Sequence, residues 1–164
     1  MNKFLVLFTS LSLFFVKIDL NTVRLDYKTA TQSNANVLVL YNKLKKVTKA
    51  DKKVLVAYKG AVTALMAKQQ NGVKAKKTFF KNGVSLLEYA LKANPNNIEI
   101  RLIRLSVQQN SPKILKYNKQ ILEDKAFVFK HYKSVKSTSL KNFIKGYILQ
   151  SDKFSEEEKA LFKS

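Results

Sequence analysis

Apolar residues recur every three or four positions along most of this chain, which is the spacing that places side chains on one face of an α-helix. Val37, Leu40, Tyr41 and Leu44 share such a face. Ser, Thr, Asn and Gly residues interrupt the pattern at the points where helices are expected to begin or end. The pattern predicts helices over residues 21–31, 34–47, 51–71, 73–93, 98–109, 112–132 and 140–150, with a short helix after Ser155.

Two of these predicted boundaries depend on short motifs. The stretch 48–51 resembles an acidic capping box, which would open a long helix that ends at Asn71-Gly72. Ser111-Pro112 is typical of a helix start, with Ser as the N-cap and Pro in the first helical position. We therefore expect a continuous helix from this motif to Tyr132, with a bend near Glu123.

Length and composition narrow the fold class. The 164 residues are 46% hydrophobic, which is enough to bury one core. Four Gly and two Pro leave little material for the tight turns of β-hairpins. We therefore expect an all-α, single-domain array of about seven to eight helices over residues 17–164.

Residues 1–16 predict a secretory signal or an uncleaved leader. The basic start Met1-Asn2-Lys3 precedes an apolar run from Phe4 to Val16, which is the arrangement of a signal sequence. The run is shorter than the roughly 20 apolar residues that span a bilayer, so we expect no transmembrane span in the mature chain. A core helix is the alternative, and no small-residue cleavage motif follows Val16. The leader predicts an exported protein, periplasmic or extracellular.

Small residues predict a close helix pair in the middle of the chain. One side of the third predicted helix carries a row of small residues, and the next helix has Gly83 and Ala90 seven positions apart with Leu87 between them. Small residues on facing sides let two helix backbones approach closely. We therefore expect an antiparallel hairpin. The row on the third helix is Ala57, Gly60, Ala61, Ala64 and Ala67.

The same hairpin resembles a tetratricopeptide repeat over residues 54–97. Gly83, Ala90 and Pro95 have the spacing of the second helix and exit turn of that repeat, and Ala57 to Ala61 is similar to its first helix. The resemblance implies partly repeat-like antiparallel hairpins and the protein-binding habit of that family. An ordinary close-packed helix pair explains the same residues. A leader followed by one basic helical domain is also similar to small uncharacterised exported bacterial proteins.

The chain is strongly basic. Its 31 Lys and Arg outnumber 11 Asp and Glu, for a formal net charge of +20, which attracts nucleic acid, anionic lipid or acidic polysaccharide. All but three of these cations are Lys, spread from Lys3 to Lys163. A Lys and Asn excess of this kind is what an A/T-rich coding bias produces, and it is typical of a solvated surface. Nucleic acid is not an expected partner, because no recognised nucleic-acid-binding motif is present.

Two of the three Arg residues lie on one polar stripe of an otherwise apolar predicted helix. At about 100° per residue, the polar side chains at positions 97, 101, 104 and 108 fall within a stripe roughly 60° wide. Arg supplies a planar, two-pronged donor for carboxylates that Lys lacks. We call this set the polar stripe, and it is the candidate binding site. Its residues are Asn97, Arg101, Arg104 and Gln108.

Two interpretations of the polar stripe are open. The first is an anion or carboxylate clasp, for instance for a peptide terminus. The second is an internal salt bridge, in which Glu88, Glu123 or Asp124 neutralises a buried guanidinium.

The remaining chemistry is sparse. The chain has no Cys and one His, His131, so we expect no metal, no cofactor and no catalytic site. We expect a non-catalytic, exported interaction module with an unidentified protein or peptide partner, recognised by the first helical hairpin and the Arg101/Arg104 surface. The alternative is an envelope-associated basic protein that binds anionic lipid or polysaccharide through distributed Lys. An unrecognised hydrolase is the third hypothesis.

Overall fold

The protein is all-α, as the apolar pattern predicts. A computed structural model describes residues 18–30 and 32–163, and within these ranges it has eight α-helices and no strand. The expected leader, 1–16, lies outside the described residues. The helices are α1 (Leu20–Ala30), α2 (Asn34–Leu44), α3 (Lys53–Met66), α4 (Val73–Ala93), α5 (Ile98–Gln109), α6 (Ile121–Tyr132), α7 (Thr138–Gln150) and α8 (Glu156–Ala160).

Side-chain caps fix the starts of four helices. The side chains of Ser33, Asn97 and Ser137 each accept a hydrogen bond from a backbone N–H in the first turn of α2, α5 and α7. Ser155 and Glu158 form a reciprocal capping box at α8. Each cap satisfies an N–H that has no partner within the helix. The predicted starts of α2, α5 and α8 are therefore confirmed, whereas α7 begins at Thr138, before its predicted start at residue 140.

The predicted start of the third helix at the motif 48–51 is wrong. The Asp51 carboxylate accepts hydrogen bonds from the backbone N–H and the hydroxyl of Thr48. Both residues are therefore used in a turn, and α3 begins only at Lys53. The helix also ends earlier than expected, in a 3₁₀ turn at Ala67–Gln69. Gly72 does lie at a helix boundary, immediately before α4. Its φ of 80° would be strained for a residue with a side chain.

The predicted helix from Ser111-Pro112 to Tyr132 is also wrong in its first half. Residues Lys113–Leu115 form a single 3₁₀ turn, and Lys116 then has a left-handed φ of 51°. The helix α6 begins at Ile121. Ser111 does not cap a new helix, because its hydroxyl donates to a carbonyl oxygen of α5.

The expected antiparallel hairpin is present as α3 and α4. Ten of the fourteen residues of α3 are buried, and its small-residue side lies against α4. The backbones meet at Gly60 and Gly83, where an added Cβ on Gly83 would lie 2.5 Å from the Gly60 carbonyl oxygen and from the Ala64 nitrogen. Gly60 lies against Leu87, and Ala64, one turn further along α3, lies against Gly83, one turn earlier in α4, so the two helices run in opposite directions. The repeat resemblance itself stays a prediction.

Helix α5 joins the two parts of the core. Ile100, Ile103 and Val107 pack in a cluster with α1 to α4. Leu102 and Leu105 pack in a second cluster with α6, α7 and the C-terminal segment. An apolar helix that is buried on most sides is thus shared by both clusters. Within the described residues, no helix has the length and apolar character needed to cross a membrane.

Candidate functional site

The polar stripe converges on one buried carboxylate. Arg104 holds Asp124 with two parallel hydrogen bonds, Nε to Oδ2 and Nη2 to Oδ1, both 2.7 Å long. Gln108 donates a third, from Nε2 to Oδ2 at 2.8 Å. The side chain of Asp124 is fully buried. This geometry is the forked, charge-assisted pairing for which Arg is suited and Lys is not.

Arg101 lies at the exposed edge of the same cluster. Its Nη1 donates to Asp124 Oδ1 at 3.1 Å and to Glu123, and its Nε donates to the carbonyl oxygen of Pro95 at 2.9 Å. The guanidinium also lies 4.7 Å from the centre of the Phe127 ring. The hydrogen bond from Arg101 lowers the pKa of the Glu123 carboxyl.

Asn97 does not join the other three residues of the polar stripe. Its Oδ1 accepts a hydrogen bond from the N–H of Ile100 at 3.0 Å, so it caps α5. Arg101, Arg104 and Gln108 are brought together, and their partner is an internal acid. The salt-bridge interpretation therefore describes the contacts that these side chains make.

The cluster extends to the loop before α6. Glu88 on α4 accepts hydrogen bonds from Arg104 Nη1 at 3.4 Å and from the hydroxyl of Tyr117. The N–H of Gln120 donates to Gln108 Oε1 at 3.0 Å. These bonds hold residues 116–120 against α4 and α5, which explains why this segment does not continue as helix.

A second buried ion pair was missed by the sequence analysis. Arg24 on α1 binds Glu99 on α5 through Nε and Nη2, both at 2.8 Å, and the Tyr58 hydroxyl donates to the same carboxylate at 2.8 Å. Burial and the neighbouring Glu99 charge raise the pKa of Tyr58 well above its usual value. Arg24 and Arg104 thus each form a two-pronged pair with a buried acid, and Arg101 bridges the buried Asp124 and the exposed Glu123. The scarcity of Arg, applied also to Arg24, was the available signal.

A wide groove lies between α1, α2, α3, α4, α5 and α7, with a volume of about 1560 Å³. We call it the central groove. Small residues of α3 leave this space open, and the Tyr27 hydroxyl is hydrogen-bonded to Ser106 at 2.8 Å in its wall. Its main apolar lining residues are Tyr27, Ala30, Val37, Ala61, Ala64, Leu65, Ala67, Phe80, Val107, Leu115, Phe143 and Tyr147.

Exposed apolar side chains surround the opening of the central groove. Leu25, Val73 and Ile114 belong to three different elements, yet all line the groove while exposing 66%, 83% and 86% of their surface. Large apolar side chains gathered at one opening are typical of a contact site. No pattern in the sequence pointed to a site at these residues.

Gly146 on α7 forms an open part of the groove wall. A Cβ built on Gly146 has no atom within 4 Å among those that could obstruct it. Gly inside a helix costs about 0.5–1 kcal/mol relative to Ala, and no close helix contact requires it here. The absence of a side chain at Gly146 therefore leaves space in the groove wall.

His131, the single histidine of the chain, makes its contacts within α6. His131 stacks on Phe127 at 4.0 Å between ring centres, and its Nδ1 is 2.9 Å from the Phe127 carbonyl oxygen. Within residues 18–30 and 32–163, no group of three or more His, Cys, Asp or Glu residues is placed to hold a metal. Comparisons of the chain with protein-family models, with curated proteins and with solved structures found no match.

Burial of Tyr27 in the groove wall predicts a pH effect. Desolvation raises the pKa of Tyr27 to about 12, whereas an unfolded Tyr titrates near 10. The neutral phenol therefore stabilises the fold fully below about pH 10, and this contribution, about 2–3 kcal/mol, is lost as the pH rises from 10 towards 12.

The measurement is an absorbance titration of the parent protein minus that of Tyr27→Phe. The difference spectrum should show phenolate only above about pH 11 in the folded protein, and near pH 10 in denaturant. Phenolate in the folded difference spectrum at pH 10 would contradict the burial of Tyr27.

Proposed function

We propose that this chain is an exported, non-catalytic binding protein whose recognition site is the central groove. The main observation in support is the groove itself, which has a volume of about 1560 Å³, an apolar floor and exposed apolar residues at its opening. Ligand pockets for small molecules are commonly about 300–1,000 Å³ and mostly apolar. The groove is large enough for an extended apolar ligand. Export rests on the leader pattern of residues 1–16.

The polar stripe supports this placement by its own contacts. Arg104 and Gln108 are already bonded to Asp124, and a ligand would have to replace those bonds and leave a buried carboxylate unpaired. Such a replacement is unfavourable. In this proposal the polar stripe stabilises the fold. The ligand binds in the central groove and not at Arg101 and Arg104.

The non-catalytic role rests on the side chains that line the groove. They are amides, hydroxyls, ammonium groups and apolar side chains. The guanidinium of Arg24 is paired with Glu99, and the carboxylate of Asp152 is ion-paired with Lys153 at 2.9 Å. Such groups bind and orient a ligand. They do not form the activated nucleophile and base of a hydrolase.

Occlusion of the groove at Gly146 tests the proposal. Gly146→Trp should fold, because its Cβ meets open space, and the indole should occupy the part of the groove beside α7. Gly146→Ala is the matched control, expected to raise the free energy of unfolding by about 0.5–1 kcal/mol. The probe is Nile red, a neutral apolar dye. We expect the parent and the Ala variant to bind it, and the Trp variant to lose at least about tenfold in affinity.

Equal dye binding by the Trp variant and the parent would overturn the groove as the site. The alternative function, adhesion through distributed Lys, is supported by the net charge of +20. That mode predicts binding to anionic vesicles that falls steeply with salt and that is the same in the Trp and Ala variants.

A further inference from the structure

We propose that the central groove binds a single-chain anionic amphiphile, with its hydrocarbon chain along the apolar floor and its carboxylate or phosphate headgroup at Lys68, Lys76 and Lys77. This inference rests on the proposed function and names the class of ligand. It differs from adhesion to a charged surface, because it places one molecule at one site.

The charge on the groove rim is the first argument. Lys68, Lys76 and Lys77 line the groove, and none of them has a hydrogen bond or ion pair to another side chain among the described residues. Asp152 is the acidic residue of the groove lining, and it is ion-paired with Lys153 rather than with any of these three lysines. The rim therefore has uncompensated positive charge, which is complementary to an anion.

The position of these lysines near a helix N-terminus adds to the positive potential of the groove rim. Lys68 lies in the 3₁₀ turn after α3, while Lys76 and Lys77 lie near the start of the 21-residue helix α4. The first turn of α4 has no acidic residue, so the positive end of its dipole is not neutralised there. The three ammonium groups thus come from one corner of the groove.

The floor is the second argument. Tyr27, Phe80 and Val107 are each more than nine-tenths buried although they line the groove. Ala61 and Ala64 of α3 provide small side chains between such residues. A narrow hydrocarbon chain reaches residues at that depth, whereas a protein surface contacts only the rim. An amphiphile is therefore favoured over a folded protein partner.

The expected affinities follow from the two ends of such a ligand. Each methylene removed from water contributes a factor of about four in affinity, so dodecanoate should bind at least tenfold more tightly than octanoate. The headgroup should contribute a further factor of about ten through the three lysines.

The experiment measures displacement of Nile red from the full chain by four dodecyl probes. Dodecanoate and dodecyl phosphate should displace the dye about tenfold more strongly than dodecanol and dodecyltrimethylammonium. The two anionic probes also separate a carboxylate from a phosphate preference. Equal displacement by dodecanol and dodecanoate would overturn the anionic headgroup, while dye binding that is lost in Gly146→Trp would still support the proposed function.

Two matched triple variants locate the headgroup. Lys68→Gln combined with Lys76→Gln and Lys77→Gln should abolish the preference for anionic probes and keep dye binding. The control replaces three exposed lysines outside the groove lining with Gln, which removes the same net charge. If the control variant also loses the preference for anionic probes, the net charge of the whole protein and not a local headgroup site causes that preference, and the proposal is wrong. Displacement by an acidic peptide but not by dodecanoate would also overturn the proposal. The control positions are Lys46, Lys133 and Lys136.

Discussion

Arg104→Ala is expected to lower the free energy of unfolding by about 3–5 kcal/mol, the magnitude found when one partner of a buried ion pair is removed. Asp124 is fully buried and receives two of its hydrogen bonds from Arg104. Without Arg104, its charge is left with Gln108 and the edge contact to Arg101. Urea denaturation followed by circular dichroism measures the change.

Arg101→Ala is the matched control for this prediction. Its second acidic partner, Glu123, has a side chain that is 58% exposed, so water replaces much of what is lost. The expected cost is about 1 kcal/mol. Arg104→Lys should fall between the two variants, because Lys keeps the charge and lacks the two-pronged geometry. A change below about 0.5 kcal/mol in Arg104→Ala, as at ordinary surface sites, would instead favour the ligand-clasp interpretation.

Gly83→Leu is expected to destabilise the fold by about 3 kcal/mol or more through overpacking. Even a Cβ on Gly83 would lie 2.5 Å from two backbone atoms of α3, the Gly60 oxygen and the Ala64 nitrogen. Backbone cannot rotate out of the way as a flexible side chain can, so α3 and α4 must separate. Thermal and urea denaturation report the loss.

A Gly→Ala substitution in the hairpin, at Gly83, is matched by the same substitution outside it, at Gly146. Gly83→Ala should destabilise by about 1–3 kcal/mol, while Gly146→Ala, where a Cβ meets open space, should stabilise. The chemical change is the same in both helices, so helix propensity cancels in the comparison. An unchanged melting temperature for Gly83→Leu would show that the two backbones are not in contact.

The local sequence pattern was sufficient to predict most of the helices. It was insufficient where contacts with distant residues determine the backbone conformation. Helices α4 and α5 were predicted with their observed bounds, because strong periodicity and an Asn cap are encoded within each segment. The Ser111-Pro112 motif failed because Tyr117 and Gln120 bond to Glu88 and Gln108. Those partners lie on other helices and outweigh a local capping preference.

The candidate site divides in the same way. Helical geometry was enough to place Arg101, Arg104 and Gln108 together, and the acid Asp124 was among the partners considered. The pair Arg24 and Glu99 is separated by 75 residues, so no local pattern links them. The central groove is formed by six helices, and its shape follows from their packing rather than from any one segment.

The buried arginine pairs constrain how this sequence can diverge. Loss of Arg24 strands Glu99, and loss of Arg104 strands Asp124, whereas an exposed Lys can change alone at little cost. Viable substitutions at these positions therefore come as compensated double changes, such as an ion pair exchanged for two apolar residues of similar volume. A change in base composition that converts Arg codons to Lys codons is therefore opposed at these sites. Positions 24 and 99 should covary, as should positions 104 and 124. This covariation would identify related proteins whose surface residues are no longer similar.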